Sequence, residues 1–334
     1  MLEKLLSTLA VGAVIAVAGC RAQPEGSNQQ SNQSAKPGPE PTTPARTGFA
    51  DLDGARIYYQ VYGDLASRKT PLLILHGSYM SGDAMMPLIE QFAATRPVIT
   101  IDQRGHGRTG DLPGPITYEL LADDAAGVLR ALNVPTADVL GYSLGGVAAI
   151  FMAVRHPEQV GKQVIVSGTS GRSGWYPELV RSMAQVTPQM FAGTPLEAEY
   201  KRLSPTPDSF PTLVRKLRDL SQTDYEQPDK AIRAIGGKTM IVVGDADGVR
   251  LEHALALFKL RGGGDIKTAT QGFMMESPRA RLAILPATPH IGMMAQAKLI
   301  AEIATPFLDD TNPIIPPGFL PDEGQHTAAE RTDK

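Results

Sequence analysis

Residues 138–155 read DVLGYSLGGVAAIFMAVR. The apolar pair Val139–Leu140 runs into Gly141-Tyr142-Ser143-Leu144-Gly145-Gly146, and a helical stretch, Leu144–Arg155, leads away from it. A G-x-S-x-G motif carries chemistry in this setting, between a strand and a helix. The turn is tight enough to require glycine on both sides, and it presents a serine hydroxyl at the strand end. The Leu144 N–H, at the start of the helix, faces the same space and is a candidate donor to a developing oxyanion.

The same alternation extends in both directions. Ala55–Tyr62 follows Asp53-Gly54, a pair that supplies the positive φ angles of a tight hairpin. Short, almost wholly apolar runs follow at Leu72–Leu75, Val98–Ile101, Val139–Leu140, Val164–Val166, Met240–Val243 and Leu282–Leu285. Hydrophobicity without alternation marks strands buried on both faces. Helical stretches are expected at Thr117–Leu132, Leu144–Arg155, Glu252–Leu260 and Gly292–Leu308. The expected fold class is α/β, a doubly wound, mostly parallel sheet with helices on both sides. From Gly171 to Ile235, about 65 residues, no core strand is found, and a mainly helical lid insertion is expected there. Asp123-Asp124 falls inside a helical stretch without a partner histidine and reads as a solvated helix face.

Composition narrows the chemistry. The 334 residues carry 32 basic and 35 acidic side chains, so no cationic surplus exists to neutralise phosphates and no nucleic-acid partner is expected. Cys20 is the single cysteine, which excludes an intrachain disulfide and a cysteine-rich metal site. None of the six histidines pairs at i, i+4. Neither metal nor cofactor is expected.

The N-terminus reads as an export signal. Lys4 precedes an apolar run from Leu5 to Val17, shorter than the roughly 20 residues a spanning helix needs. Val17-Ala18-Gly19-Cys20 resembles the lipobox of bacterial lipoproteins, which implies cleavage after residue 19 and acylation of Cys20. Arg21 after the cysteine then implies outer-membrane sorting, with the chain anchored by lipid and exported to the periplasm or cell surface. Residues 21–47 lack Val, Ile, Leu, Met, Phe, Trp and Tyr and are expected to form a disordered tether. The expected division is signal 1–19, lipidated Cys20 and tether to 47, catalytic domain 48–310, and an irregular tail 311–334.

Between Phe49 and Leu308 the chain resembles the α/β-hydrolase superfamily. His76-Gly77-Ser78 matches the H-G-x oxyanion loop, and Asp102-Gln103-Arg104-Gly105-His106-Gly107-Arg108-Thr109 matches D-x-R-G-x-G-x-S/T. Gly244-Asp245-Ala246-Asp247 stands where the family carries its acid, and Thr288-Pro289-His290 where it carries its histidine. The order Ser, Asp, His is the one this superfamily uses. The resemblance implies Ser143 as nucleophile, His290 as general base and Asp247, in preference to Asp245, as orienting acid. It places the oxyanion donors at the backbone of Ser78, or its neighbour Tyr79, and of Leu144.

The reaction implied is hydrolysis of a carboxylic ester or lactone through an acyl-enzyme. A serine nucleophile argues against the branches of the fold that attack with aspartate. Cofactor-free perhydrolase or C–C bond hydrolase chemistry on the same triad is the enzymatic alternative, and a non-catalytic ligand-binding protein of this fold is the other. Trp175, Tyr176, Met183, Met190, Phe191 and Phe210 in the insertion are suited either to closing over an apolar group or to packing it onto the core.

Overall fold

The computed structural model describes residues 42–315 other than 273 and 275, together with Gly318. The signal, Cys20 and the tether up to residue 41 lie outside the described residues, as does most of the tail, while Arg46 and Thr47, expected to end the tether, instead open the first strand. Residues 311–315 carry no helix or strand.

A hairpin opens the fold: β1 (Arg46–Leu52) and β2 (Ala55–Tyr62) pair antiparallel across Asp53-Gly54, with Gly54 at φ 74° as such a turn demands. Next come β3 (Leu72–Leu75), α1 (Met86–Ala93), β4 (Val98–Asp102), α2 (Tyr118–Ala131), β5 (Ala137–Tyr142), α3 (Leu144–Arg155) and β6 (Val160–Val166). Four helices occupy the insertion: α4 (Pro177–Ala184), α5 (Pro195–Leu203), α6 (Phe210–Ser221) and α7 (Asp229–Ala234). The chain then rejoins the sheet through β7 (Thr239–Ala246), α8 (Leu251–Leu260), α9 (Ile266–Gln271), β8 (Ala280–Pro289) and α10 (Ala297–Leu308). The strand order is β1-β2-β4-β3-β5-β6-β7-β8, with every pair from β4 to β8 parallel.

The apolar runs of β3 to β7 are buried on both faces, but that of β8 is not: at the edge of the sheet Leu282 and Ala283 are half-buried and Ile284 is exposed. Leu73 and Leu75 of β3 enter one core with α2, α3, α8 and much of the insertion, while Leu72 and Ile74 enter a second with α1 and α10. Each such side chain contributes about 1.5–3 kcal/mol on burial, which explains why neither face tolerates a polar alternation. The one helix that starts late is α10. Ile291–Gln296, expected to be α-helical in part, forms a 3₁₀ turn instead, a frequent prelude to an α-helix.

Asp123 and Asp124 do not share a solvated face. Asp123 is partly exposed against Arg155 and His156, but Asp124 is buried and accepts two hydrogen bonds from Arg104, at 2.6 and 2.7 Å. The partner comes from the loop after β4, beyond the reach of any helical pattern.

Candidate active site

Parallel α/β sheets bind ligands beyond the carboxyl ends of their strands, and the ends of β3 to β8 converge here. At the end of β5, Ser143 is held at φ 55°, ψ −116°, a conformation rare for any residue with a Cβ. A Cβ on Gly141 would stand 2.1 Å from the Gly145 carbonyl oxygen, and one on Gly145 would stand 2.2 Å from that of Leu75. Both glycines are therefore obligatory. The Ser143 N–H donates to the Val166 carbonyl at 2.9 Å, tying the turn to β6.

His290, just past β8, lies with Nε2 2.9 Å from Ser143 Oγ. Its Nδ1 is 2.7 Å from Asp247 Oδ1. Burial pushes the Asp247 carboxyl up, but hydrogen bonds from His290, Ser167 and the Val249 N–H outweigh it and hold it below the usual carboxylate range. A carboxylate accepts only, so Nδ1 carries the proton and Nε2 presents its lone pair to the serine hydroxyl. Asp245, two residues earlier, turns away. It is exposed and accepts the N–H groups of Ala287 and Thr288, rather than capping its own backbone alone.

The loops after β3 and β4 brace each other. His76 is buried and its Nδ1 donates to the Gly77 carbonyl, while Nε2 accepts the Gln103 N–H. Burial lowers its pKa to about 4, so the ring is neutral and structural. His106 is also buried, and burial beside His76 lowers it to about 3. Asp102 accepts the N–H groups of Gly82 and Arg108. These bonds place Ser78 beside Ser143 and Leu144 in the wall of a cavity of about 60 Å³. Tyr79, at φ 64°, turns out of that wall onto the ring of Phe191. As the first residue of α3, Leu144 leaves its N–H without an intrahelical acceptor.

Several neighbours of the site gave no sequence signal of their own. The Tyr142 hydroxyl donates to the His290 carbonyl at 3.0 Å and its ring stacks on the imidazole. Ser167, at the end of β6, donates to Asp247 Oδ2. Its position beside β7 in the sheet was the only available clue. Among the insertion's apolar residues, Trp175 and Met183 line the cavity, Phe191 and Phe210 pack in the core, and Tyr176 is exposed. Among the described residues no three His, Cys, Asp or Glu side chains converge as metal ligands, and no helix is long and apolar enough to cross a membrane.

A family model described as the alpha/beta hydrolase fold matches residues 70–228. That match spans just under half of the chain, and with the observed sheet it shows the α/β-hydrolase fold. RutD of Caulobacter vibrioides (strain NA1000 / CB15N), which carries the name of a carbamate hydrolase, is 32% identical over 126 residues, 37% of this chain and 46% of that protein. The likeness thus spans about half the length of such relatives. Two solved structures share the fold at low identity. The enol-lactonase of Burkholderia xenovorans LB400 aligns with a TM-score of 0.59 and 18% identity, over 78% of this chain and 100% of that one. The carboxylesterase CesB of Bacillus subtilis aligns with 0.57 and 17%, over 79% and 91%.

Proposed function

We propose that the chain is a serine hydrolase of carboxylic esters or lactones. The observation that carries this reading is the unbroken hydrogen-bonded line from Ser143 Oγ through His290 to Asp247, with links of 2.9 and 2.7 Å. Ser143 adds to the carbonyl carbon as His290 Nε2 takes its proton, and Asp247 stabilises the resulting imidazolium. The N–H groups of Ser78 and Leu144 receive the oxyanion. Collapse expels the alcohol, which takes its proton from His290. Water, deprotonated by His290, then releases the acid and restores Ser143. The aligned relatives named for hydrolysing carbamates, lactones and esters are consistent with this acyl-transfer class.

The experiment compares the chain from residue 42 onward with its Ser143→Ala variant. Fluorophosphonate labelling and p-nitrophenyl ester turnover are both expected in the first and lost in the second. A folded parent that neither labels nor turns over removes the hydrolase reading and leaves a ligand-binding protein.

The proposal extends to location. Cleavage before Cys20 and its acylation would tether the domain to the outer membrane through the residues that follow. Radiolabelled palmitate should enter the full-length chain in bacteria, and Cys20→Ser should abolish both label and membrane association. Retention of either in the variant would refute lipidation at this residue.

A further inference from the structure

We propose that the cavity beside Ser143 is an acyl chamber sized for acetyl and propionyl groups, which makes the chain selective for short-acyl esters. The inference rests on the hydrolase reading and deepens it.

Three observations carry it. First, direction. Ser78, Ser143 and Leu144 line the cavity and His290 does not. The leaving alcohol must take its proton from His290 Nε2, so it departs on the histidine side. The acyl chain is the part of the substrate left to enter the cavity.

Second, size. A closed apolar cavity of about 150 Å³ takes up benzene. The 60 Å³ beside Ser143 holds, by proportion, about two or three carbon-sized atoms. Tyr118, Leu220 and Tyr225 are part of its lining. The first two are fixed in the core, and Tyr225 Oη is held by the Trp175 indole N–H at 2.7 Å and by Thr169 Oγ1 at 2.9 Å.

Third, polarity. None of the lining side chains is charged. The Tyr225 hydroxyl is engaged as described, and Ser221 Oγ donates to the Arg218 carbonyl and accepts from Gln222. A carboxylated acyl group would find no cationic partner there and would lose its hydration.

One part of the lining is softer. Met183 comes from α4, a helix with no buried residue. Methionine is unbranched and adaptable, and shortening it lengthens the chamber without opening the core.

The test is kcat/KM on p-nitrophenyl acetate, propionate, butyrate, hexanoate and octanoate, with the fraction of active enzyme fixed by fluorophosphonate titration. The maximum is expected at acetate or propionate, falling about 1,000-fold or more by hexanoate, since each misplaced methylene is worth about tenfold or more. Met183→Ala should move the maximum to butyrate or hexanoate. Leu220→Ala should do the same, but it lies in the core and is the second choice. Alkyl acetates from methyl to hexyl, assayed for acetate release, should vary less than about fivefold, because the leaving alcohol does not enter the chamber.

A flat profile, or one peaking at octanoate, in an enzyme that titrates normally overturns the chamber and leaves the hydrolase reading intact. A steep dependence on the alcohol instead reverses the direction argued here. Absence of both labelling and turnover is the failure of the hydrolase reading itself.

Discussion

Replacing Asp247 with asparagine separates two roles that the carboxylate combines. Oδ1 accepts from His290 Nδ1 at 2.7 Å and from the Val249 N–H at 3.1 Å. Oδ2 accepts from the Ser167 hydroxyl and, at 3.5 Å, from the Gly244 N–H. An amide keeps one acceptor and gains an NH₂. An NH₂ at the Oδ1 position would oppose the Val249 N–H, which cannot rotate. At the Oδ2 position it meets a hydroxyl that can turn to accept. The amide introduced by Asp247→Asn should therefore point its oxygen at His290 and preserve the imidazole tautomer.

What is lost is the charge. Unit charges about 4 Å apart at an effective dielectric of about 20 attract by about 4 kcal/mol, and about 1.4 kcal/mol corresponds to tenfold in rate. The expected loss in kcat/KM on p-nitrophenyl acetate is therefore about 10²- to 10³-fold, the upper end being about 4 kcal/mol. In addition, the downfield proton NMR signal of His290 Nδ1–H should persist. A loss of about 10⁴-fold or more, the value for a misplaced tautomer, together with disappearance of that signal, refutes the hydrogen-bond reasoning. A loss under about tenfold, less than the charge alone should cost, refutes Asp247 as the orienting acid.

Other expectations follow from the same contacts. Asp245→Asn should reduce turnover less than about fivefold in that assay, because its carboxylate only braces the turn before His290; a larger loss would shift the acid to Asp245. Arg104→Met strands a buried Asp124 and should cost about 3–5 kcal/mol in urea unfolding, whereas Arg104→Met with Asp124→Leu should recover most of it. A double variant no better than the single would show that the pair itself is required. Acid should weaken the fold through His76 and His106. Their folded values, about 4 and about 3, lie below the ordinary 6.5, so the unfolded chain binds more protons and stability falls as pH drops below about 6.5. Asp138, pushed up to about 6 by burial, acts in the opposite sense below pH 6 and offsets part of this. His106→Leu should flatten the melting-temperature profile between about pH 6.5 and 4, and an unchanged slope would exclude that ring as a contributor.

The positions of Ser143, Asp247 and His290 were legible because each follows a short apolar run, which marks a strand of the sheet whether central, as β5 and β7 are, or at the edge, as β8 is. The glycines around Ser143 were legible for a related reason. Their requirement is local, set by backbone four residues away or one strand over. Contacts between distant segments left no such trace. Arg104 and Asp124 are a loop and a helix residue joined only by the fold. Trp175 and Tyr225 lie 50 residues apart and meet through one hydrogen bond at the cavity wall. Aromatic content alone could not tell which insertion residues face the cavity. Trp175 does, whereas Phe191 and Phe210 are core, and helical periodicity has no reference direction until the insertion is docked.

The backbone of Ser143 has an evolutionary consequence. A non-glycine residue at φ 55°, ψ −116° carries about 1–3 kcal/mol of strain, and glycine at the same position would carry almost none. Abolishing the proposed nucleophile by Ser143→Gly is therefore thermodynamically downhill. A lineage released from selection for turnover would drift toward an inert and sturdier protein, keeping its sheet, its cavity and its capacity to hold a ligand. In this fold the path from catalyst to receptor runs with folding stability, and only a continuing need for chemistry opposes it.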